Sequence, residues 1–369
     1  MSIQHMDFPS GSDGLWGYGN INCLDYADDG VYAYVNKATI LGLNGCSMVE
    51  DPDPNVTGAC LIVYRNTTNN YSDQLRYVLT STKTTVGMCG RIYLSSLPED
   101  NLANPAIYVF KDGGNNRMVE LTVLSTGALR VLYDIDGTQE TYDTPGPVLV
   151  AGTWFHVEMK CDFTAGDIEV RVEGVTQINL TGQDISNAGT CAQVAFGCEN
   201  GVGLVQSPNQ VYYKDFVIWD GDGSGNNDFL GAVQVYDLYP DGDSSFNWTA
   251  STGSTGYNLI DEAPSNDADY IYADDTPPAA SLFTMNDLPE DVSSIRGIKT
   301  YARMRKTDGG DGWAQISMVS NGTAGNGTDR PVTTAFTYWS DIFELDPDTS
   351  ANWTRSGVNA ALLQINTTT

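Results

Sequence analysis

Residues 153–173 read TWFHVEMKCDFTAGDIEVRVE and show the most regular alternation in the chain. Two sets of side chains alternate along the first half: Trp154, His156, Glu158 and Lys160 on one face, and Phe155, Val157, Met159 and Cys161 on the other. After a turn at residues 165–167, the apolar set continues with Ile168, Val170 and Val172. A strict period of two with one polar face is typical of a half-buried antiparallel sheet, so this stretch predicts a β-hairpin.

Similar strand signals extend in both directions from this hairpin. The pattern predicts strands at residues 30–38, 60–65, 86–94, 106–110, 118–124, 128–133, 175–180, 191–198 and 211–219. Turn residues separate them, for example Asp112-Gly113-Gly114-Asn115, because Gly and Asn accept positive φ at little cost. With 38 glycines and 20 tyrosines in 369 residues, the composition favours an all-β protein of two domains.

A second series of β-elements follows residue 231. We expect strands at residues 296–306, 313–319 and 336–345, with the first two paired across 308–312, and a short helix plus a terminal strand at 358–365. The two series meet in WDGDGSGNNDFLGAVQVYDLYP, residues 219–240, where one predicted strand ends, a loop of Asp, Asn and Gly follows, and a second strand-like run begins at Phe229.

Two resemblances follow from these patterns. The order of the first series, with GTWFHVE and its return hairpin, resembles the concanavalin A-like jelly roll of laminin-G and pentraxin type. The runs NNDFLG, LYP, WTASTG, DEAPSNDADY, ARMRKTD and ELDP, all between residues 226 and 347, resemble segments of tailed-bacteriophage virion structural proteins. The resemblance implies a concanavalin A-like jelly-roll sandwich at residues 1–230 and a smaller β-sandwich-type domain at 231–369.

The phage resemblance also implies a role and partners. The chain would be a virion appendage (a fibre, spike or decoration protein), made in the host cytoplasm and assembled with capsid, portal or tail proteins. One domain would attach it to the particle, and the other would present loops to host-surface glycan. Fibre and spike proteins usually trimerise, so the resemblance implies a homo-oligomer.

The charge balance excludes several classes of partner. The chain has 47 acidic and 18 basic residues, a net charge of −29 and a pI near 4.1. Such a surface repels nucleic-acid phosphates and anionic membranes.

The N-terminal sequence MSIQHMDFPS lacks the apolar core of a signal peptide, and no run approaches the ~18 apolar residues of a membrane span.

The search for catalytic residues led us to expect no enzyme. Glu169 and Glu173 share a strand face, but Arg171 lies between them as an ion-pair partner would. Of the two histidines, His5 lies near the terminus, and His156 fits a sheet face. A jelly-roll depolymerase that cuts glycan, or a purely architectural protein without a ligand, remain the alternatives.

Metal binding is predicted in the loop that follows residue 219. Five side chains supply hard oxygen donors for Ca²⁺: Asp220, Asp222, Asn226, Asn227 and Asp228. Asp25, Asp28 and Asp29 form a weaker second cluster. The seven cysteines form no CxxC pair, so a zinc cluster is not expected, and Cys161, Cys191 and Cys198 fit small buried apolar positions.

Two further sets are candidates for binding surfaces. Aromatic rings stack on sugar faces, and the candidate glycan contacts are Trp16, Tyr18, Tyr212 and Tyr213. Five basic residues fall within eleven positions of this acidic chain: Arg296, Lys299, Arg303, Arg305 and Lys306. The alternative is an ordinary charged strand face, but the cluster suits docking of an acidic neighbour, such as another virion protein or a second copy of the chain.

Overall fold

The computed structural model describes residues 3–7, 31–34, 45–50, 59–64, 74–98, 106–135, 138–185, 189–197, 211–223, 225–261, 267–273 and 279–368. Two compact units divide the chain, the first ending at Val235 and the second beginning at Tyr236. The sequence had suggested a boundary at residue 230. Each unit is built almost entirely of antiparallel strands, which confirms the all-β fold class.

Fifteen strands form the described part of the first unit. They are β1 Ile3–Asp7, β2 Val31–Tyr34, β3 Gly45–Glu50, β4 Ala59–Tyr64, β5 Gln74–Lys83, β6 Thr85–Leu94, β7 Ala106–Lys111, β8 Arg117–Val123, β9 Leu129–Ile135, β10 Thr138–Asp143, β11 Trp154–Asp162, β12 Asp167–Val172, β13 Val175–Leu180, β14 Cys191–Gly197 and β15 Val211–Asp220.

These strands make two sheets that face each other across one core. Sheet A has the order β13-β12-β11-β6-β15-β4-β3, with β1 also paired to β15, and sheet B has the order β10-β9-β8-β7-β14-β5-β2. Apolar side chains from both sheets meet in the core, among them Val157 and Met159 from sheet A and Tyr108 and Phe110 from sheet B. The Tyr108 hydroxyl donates to the Val157 carbonyl at 2.9 Å, which joins the two layers. This is the predicted jelly-roll sandwich.

The hairpin at residues 153–173 is confirmed, but its polar face is not solvent-exposed. β11 pairs with β12 in a register that sets Cys161 opposite Ile168. On the face away from the core, His156 is 2% exposed and Glu158 is 1% exposed. The alternation correctly predicted a sheet, but it could not show that other chain segments cover the sheet's outer face.

The strand predicted to begin at Phe229 is wrong. Residues 229–239 carry no strand, and the next strand starts at Pro240. The backbone N–H groups of Leu230, Gly231 and Val235 donate to side-chain carboxylates of sheet A instead of to a neighbouring strand. Residues 229–235 are therefore an irregular segment held against the outer face of sheet A.

Besides a 3-10 helix at Tyr257–Leu259, the second unit contains ten strands and one short α-helix among the described residues. They are β16 Pro240–Ser245, β17 Thr249–Ala250, β18 Ile271–Tyr272, β19 Ser281–Met285, β20 Ile298–Met304, β21 Trp313–Ser320, β22 Thr323–Gly325, β23 Arg330–Pro331, β24 Thr337–Phe343, α1 Arg355–Ala360 and β25 Leu362–Thr368. The main sheet has the order β16-β19-β25-β21-β22, with β23 also paired to β21. Phe283, Ile316 and Trp353 lie in its core.

The predicted short helix and terminal strand at the end of the chain are confirmed as α1 and β25. Thr354 caps α1 by accepting a hydrogen bond from the Gly357 N–H. The predicted pairing of residues 296–306 with 313–319 is wrong, because β20 pairs with β24. Both hydrogen-bonding edges of β21 are already occupied, one by β25 and the other by β22 and β23. In the described residues, no helix is long and apolar enough to cross a membrane.

Candidate functional site

An aromatic row crosses three neighbouring strands on the outer face of sheet A. Tyr93 of β6 lies directly opposite Trp154 of β11 on one side and Tyr212 of β15 on the other. The ring centroids of Tyr93 and Trp154 are 5.5 Å apart, and those of Tyr93 and Tyr212 are 5.6 Å apart. All three side chains are half-buried. We call these residues the aromatic row.

A row of nitrogen-bearing side chains lies next to the aromatic row. Arg91 of β6 is opposite both His156 and Lys214. The Arg91 side chain is 33% exposed, and its Nε lies 3.6 Å from the buried Asp215 carboxylate. Lys214 is buried with its Nζ 4.1 Å from the centre of the Trp154 ring, within cation–π distance. In a chain of net charge −29, this row provides positive charge directly beside three aromatic rings.

A buried group of three side chains, Cys89, His156 and Glu158, begins in this row at His156 and continues along the same face of the sheet. One donor atom from each lies within 4.8 Å of the other two. Cys89 and Glu158 are opposite each other in the β6–β11 register. Neither ring nitrogen of His156 has a hydrogen-bond partner. Burial lowers the pKa of His156 to about 4. The negative charge of Glu173 opposes this change and the positive charge of Arg91 adds to it, so the ring is neutral at pH 7.

Residues 229–235, which we call the covering segment, close the outer face over this group. The backbone N–H groups of Leu230 and Gly231 donate to Oε1 of Glu158 at 2.8 and 3.0 Å. The Arg171 guanidinium lies 3.7 Å from the centre of the Phe229 ring. Buried acids of sheet A therefore hold the segment through its backbone, and a cation–π contact holds it through a side chain.

The predicted calcium ligands are placed beside lysines. Lys83 Nζ lies 2.7 Å from a carboxylate oxygen of the buried Asp220 and 2.7 Å from one of the exposed Asp222. Asp228 forms an ion pair with Lys160 at 2.8 Å. The hydrogen bonds and charge of the lysine partner lower the pKa of Asp222.

The two amides of that loop have local roles. Asn227 donates to the Gly223 carbonyl at 3.1 Å, and Asn226 adopts a positive φ of 52°. A calcium ion would have to displace Lys83 from Asp222 and Lys160 from Asp228 to use these carboxylates. The calcium site stays a prediction, and the second cluster at residues 25–29 lies outside the described residues.

Of the four predicted glycan contacts, the structure places one at the aromatic row. Tyr212 belongs to it. Tyr213 does not, and its prediction is corrected: the side chain is fully buried between the sheets, and its hydroxyl donates to the Ala106 carbonyl at 3.2 Å. Neighbouring residues of a strand point to opposite faces, so only one of the pair can face outward. Trp16 and Tyr18 lie outside the described residues.

Sequence reasoning did not find two members of the row, Tyr93 and Trp154, as glycan contacts. The only signal that could have found them is the pairing register of β6 with β11 and β15. That register brings residues from three distant parts of the sequence into line.

The basic residues predicted as a docking surface lie in and around β20. Arg303 forms a two-point ion pair with Asp267, at 2.8 and 2.9 Å. The guanidinium groups of Arg303 and Arg305 lie 4.7 and 4.4 Å from the Phe336 ring centre. Lys299 lies 5.5 Å from the Tyr301 ring centre. Arg296 is exposed and Lys306 is half-buried. Docking by this surface stays a prediction.

The carboxylates considered for hydrolysis have structural partners. Glu169 accepts hydrogen bonds from Arg171 at 2.8 Å and from Thr176 at 3.0 Å. Glu173 accepts a hydrogen bond from the backbone N–H of His156 at 2.7 Å and adopts a positive φ of 50°. Arg171 thus neutralises Glu169, as the sequence suggested. Glu173 instead lies next to the two rows.

The comparison with solved structures found similarity to other β-sandwich proteins. A sialidase is 11% identical with a TM-score of 0.38, over 59% of this chain and 19% of the sialidase. An endo-β-1,4-glucuronan lyase from the fungus Trichoderma reesei is 11% identical with a TM-score of 0.39, over 58% of this chain and 94% of the lyase. Alginate lyase A1-II′ is 14% identical with a TM-score of 0.35, over 46% and 82%. No family model and no curated protein matches the chain.

These similarities concern the fold of the sandwich. The chain spans less than a fifth of the sialidase's length, but most of the length of the two lyases.

The expectation that the chain is not an enzyme is corrected. The similar structures named above, a sialidase and two lyases, are enzymes by name. The argument against an enzyme treated His156 as an ordinary sheet-face residue. It lies instead in a buried group with Cys89 and Glu158, next to Arg91.

Proposed function

We propose that the first unit recognises an acidic glycan on the outer face of sheet A. The observation that supports this most directly is the cross-strand alignment of the aromatic row with the row containing Arg91. Aromatic faces stack on sugar rings, and a partly exposed guanidinium pairs with carboxylate groups. The negative charge of the rest of the chain disfavours an anionic ligand elsewhere. The selectivity of the site for an acidic glycan therefore comes from the row of Arg91, His156 and Lys214.

The experiment that tests this proposal is calorimetric titration of the intact chain with oligosaccharides of glucuronic, mannuronic and galacturonic acid, alongside neutral oligoglucose. We expect an acidic oligosaccharide to bind, and the affinity to fall as salt concentration rises. Trp154→Ala removes a stacking ring and should weaken binding about tenfold. Tyr142→Ala is the matched control, because Tyr142 is an exposed ring on β10 of the other sheet.

The proposal fails in two cases. One is that none of these acidic oligosaccharides binds. The other is that Trp154→Ala and Tyr142→Ala have equal effects on binding.

A glycan-degrading activity is the second candidate function. It is favoured by the ionisable groups directly beside the aromatic row, since Glu173 contacts the backbone of His156 and His156 is opposite Arg91. The assay is release of new chain ends from acidic polysaccharides. Glu173→Gln should abolish release, whereas Glu169→Gln, on β12 and paired with Arg171, should retain it. Retained release in both variants would mean that neither acid takes part in the chemistry.

We also propose that the chain is carried on a tailed-phage particle, where a glycan-recognising unit would meet the host surface. The support for this is the set of sequence runs between residues 226 and 347 that resemble phage virion proteins. Imaging of particles labelled with an antibody to the chain is the direct test. Label at discrete head or tail projections is expected, and unlabelled particles would exclude a virion role.

A further inference from the structure

The buried group of Cys89, His156 and Glu158 combines three metal-ligand types at one point of sheet A. The side chains are 0%, 2% and 1% exposed. All three project from the same face of two neighbouring strands, Cys89 from β6 and the other two from β11 at positions two residues apart. Their donor atoms lie within 4.8 Å of one another. A small movement of the three side chains towards one another would bring these atoms to the spacing of ligands around one ion.

His156 is the second and independent observation. A buried polar atom without a hydrogen bond is costly, and the large majority of such atoms in proteins have a partner. Both ring nitrogens of His156 are buried and neither has one. Imidazole nitrogens are common metal ligands, so an ion between the three side chains would give one of them a partner.

We propose that Cys89, His156 and Glu158 bind a zinc ion. Thiolate, imidazole and carboxylate are the ligand set that Zn²⁺ accepts, at about 2.0–2.3 Å. On binding, the Cys89 thiol loses its proton to solvent and the sulfur forms a bond to the metal. The thiolate and the Glu158 carboxylate then balance the two positive charges of the ion, so that the buried site is neutral overall.

The covering segment supplies support around these ligands. The N–H groups of Leu230 and Gly231 hold Oε1 of Glu158 in place. Such outer contacts orient a metal-binding carboxylate. Arg91, opposite His156, lies 3.6 Å from the carboxylate of Asp215. Three protein ligands leave the fourth tetrahedral position to water.

The sequence did not predict a zinc cluster, because the cysteines form no CxxC pair. That argument applies to sites whose ligands are close in sequence. Here two neighbouring strands supply them, and only the β6–β11 register brings Cys89 opposite Glu158. The zinc proposal rests on the donor atoms of Cys89, His156 and Glu158, whereas the glycan proposal rests on the aromatic row and on Arg91, which lies opposite His156.

The test is a titration of the chelator-treated, folded full chain with Co²⁺, a spectroscopic substitute for Zn²⁺. We expect about one Co²⁺ per chain, with the near-ultraviolet charge-transfer absorption of a thiolate–cobalt bond, and displacement of the cobalt by Zn²⁺. Cys89→Ser should remove this absorption, and His156→Gln should weaken binding by about tenfold or more.

Cys191→Ser is the matched control. Cys191 is a fully buried thiol on β14 of sheet B, and burial raises its pKa to about 12. This variant should bind Co²⁺ as the wild type does. The proposal is overturned if the folded wild type shows no thiolate–cobalt absorption, or if that absorption survives in Cys89→Ser. Because the wild-type result alone can overturn it, the proposal stays testable even if a variant fails to fold.

Discussion

Glu158, on β11, accepts a 2.8 Å hydrogen bond from the backbone N–H of Leu230, which lies 72 residues later in the chain. The same oxygen accepts a second bond from the Gly231 N–H. A carboxylate that is 1% exposed thus replaces the strand partner that these backbone groups lack. This contact explains why an apolar-looking run after Phe229 lies on the sheet as an irregular segment.

Replacing Glu158 with Gln should loosen the covering segment. In metal-free buffer we expect a loss of about 2 kcal/mol in the free energy of unfolding, because a charged acceptor becomes a weaker neutral one. Limited proteolysis near residue 230 should also speed up. Glu169→Gln is the control, because its half-exposed pairing with Arg171 contributes less than about 1 kcal/mol. Equal effects would mean that the Leu230 contact does not hold the segment.

Lys83→Met should be strongly destabilising. Lys83 is paired with Asp220, which is fully buried, so the substitution leaves a buried charge without its partner. We expect a cost of about 3 kcal/mol in denaturant unfolding. Lys160→Met provides the comparison, since Asp228 is 67% exposed and water replaces its partner. A cost below about 1 kcal/mol for both variants would contradict this reasoning.

The same ion pair predicts a change in stability at alkaline pH. Burial lowers the pKa of Lys83, but hydrogen bonds and charge from Asp220 and Asp222 outweigh it and raise the pKa above 10.5. A raised folded-state pKa contributes stability that is complete below 10.5 and is lost as pH rises through the folded value. Wild type and Lys83→Met should therefore differ in unfolding midpoint at about pH 9, and this difference should shrink at about pH 11.5. A constant difference between the two proteins would contradict the assignment.

Gly87→Ala should displace Trp219. Gly87 is opposite Trp219 in the β6–β15 register, and a methyl group there would overlap with the indole ring. Trp219 is fully buried, so we expect a loss of about 1–3 kcal/mol and altered tryptophan fluorescence. Gly146→Ala is the control, because no atom lies within 4 Å of its added methyl group. Unchanged fluorescence in Gly87→Ala would show that the sheet tolerates the extra atom.

Phe283→Ala tests the core of the second unit. Phe283 is fully buried, with its ring centre 6.3 Å from that of Phe246. The cavity left behind should cost about 3–5 kcal/mol. The rate of hydrogen exchange at the backbone amides of β19 and β25 should rise, because the sheet they belong to is destabilised. Tyr272→Ala removes a ring that is 39% exposed and should change exchange little. A similar small effect in both variants would mean that Phe283 does not stabilise this sheet.

Strands were predicted well where local patterning decides them. The period of two gave β11, β12 and β13 to within a residue at each end, because each has one face in the core. Pairing was predicted poorly in the second unit, where β20 joins β24. The partner of a strand depends on which edges are already occupied, and residue order along one strand carries no information about that.

The candidate site was predicted only in part, for a related reason. Tyr212 was identified from its residue type, but its neighbour Tyr213 was included with it, because the register of β15 was needed to tell inward from outward. His156 and Glu158 were interpreted as solvent-facing residues, since nothing in their local sequence indicates the covering segment.

The sequence by itself determined the all-β class, most strand positions and the strong negative charge, because these follow from local alternation and composition. The sandwich was implied by the resemblance to the laminin-G and pentraxin type of jelly roll. Only the tertiary structure decided that Tyr93, Trp154 and Tyr212 form one row and that Cys89, His156 and Glu158 share one buried point. The physical reason is that a sheet aligns side chains by hydrogen-bond register between distant strands. That register is fixed by the packing of the whole sandwich and not by the order of residues within a strand.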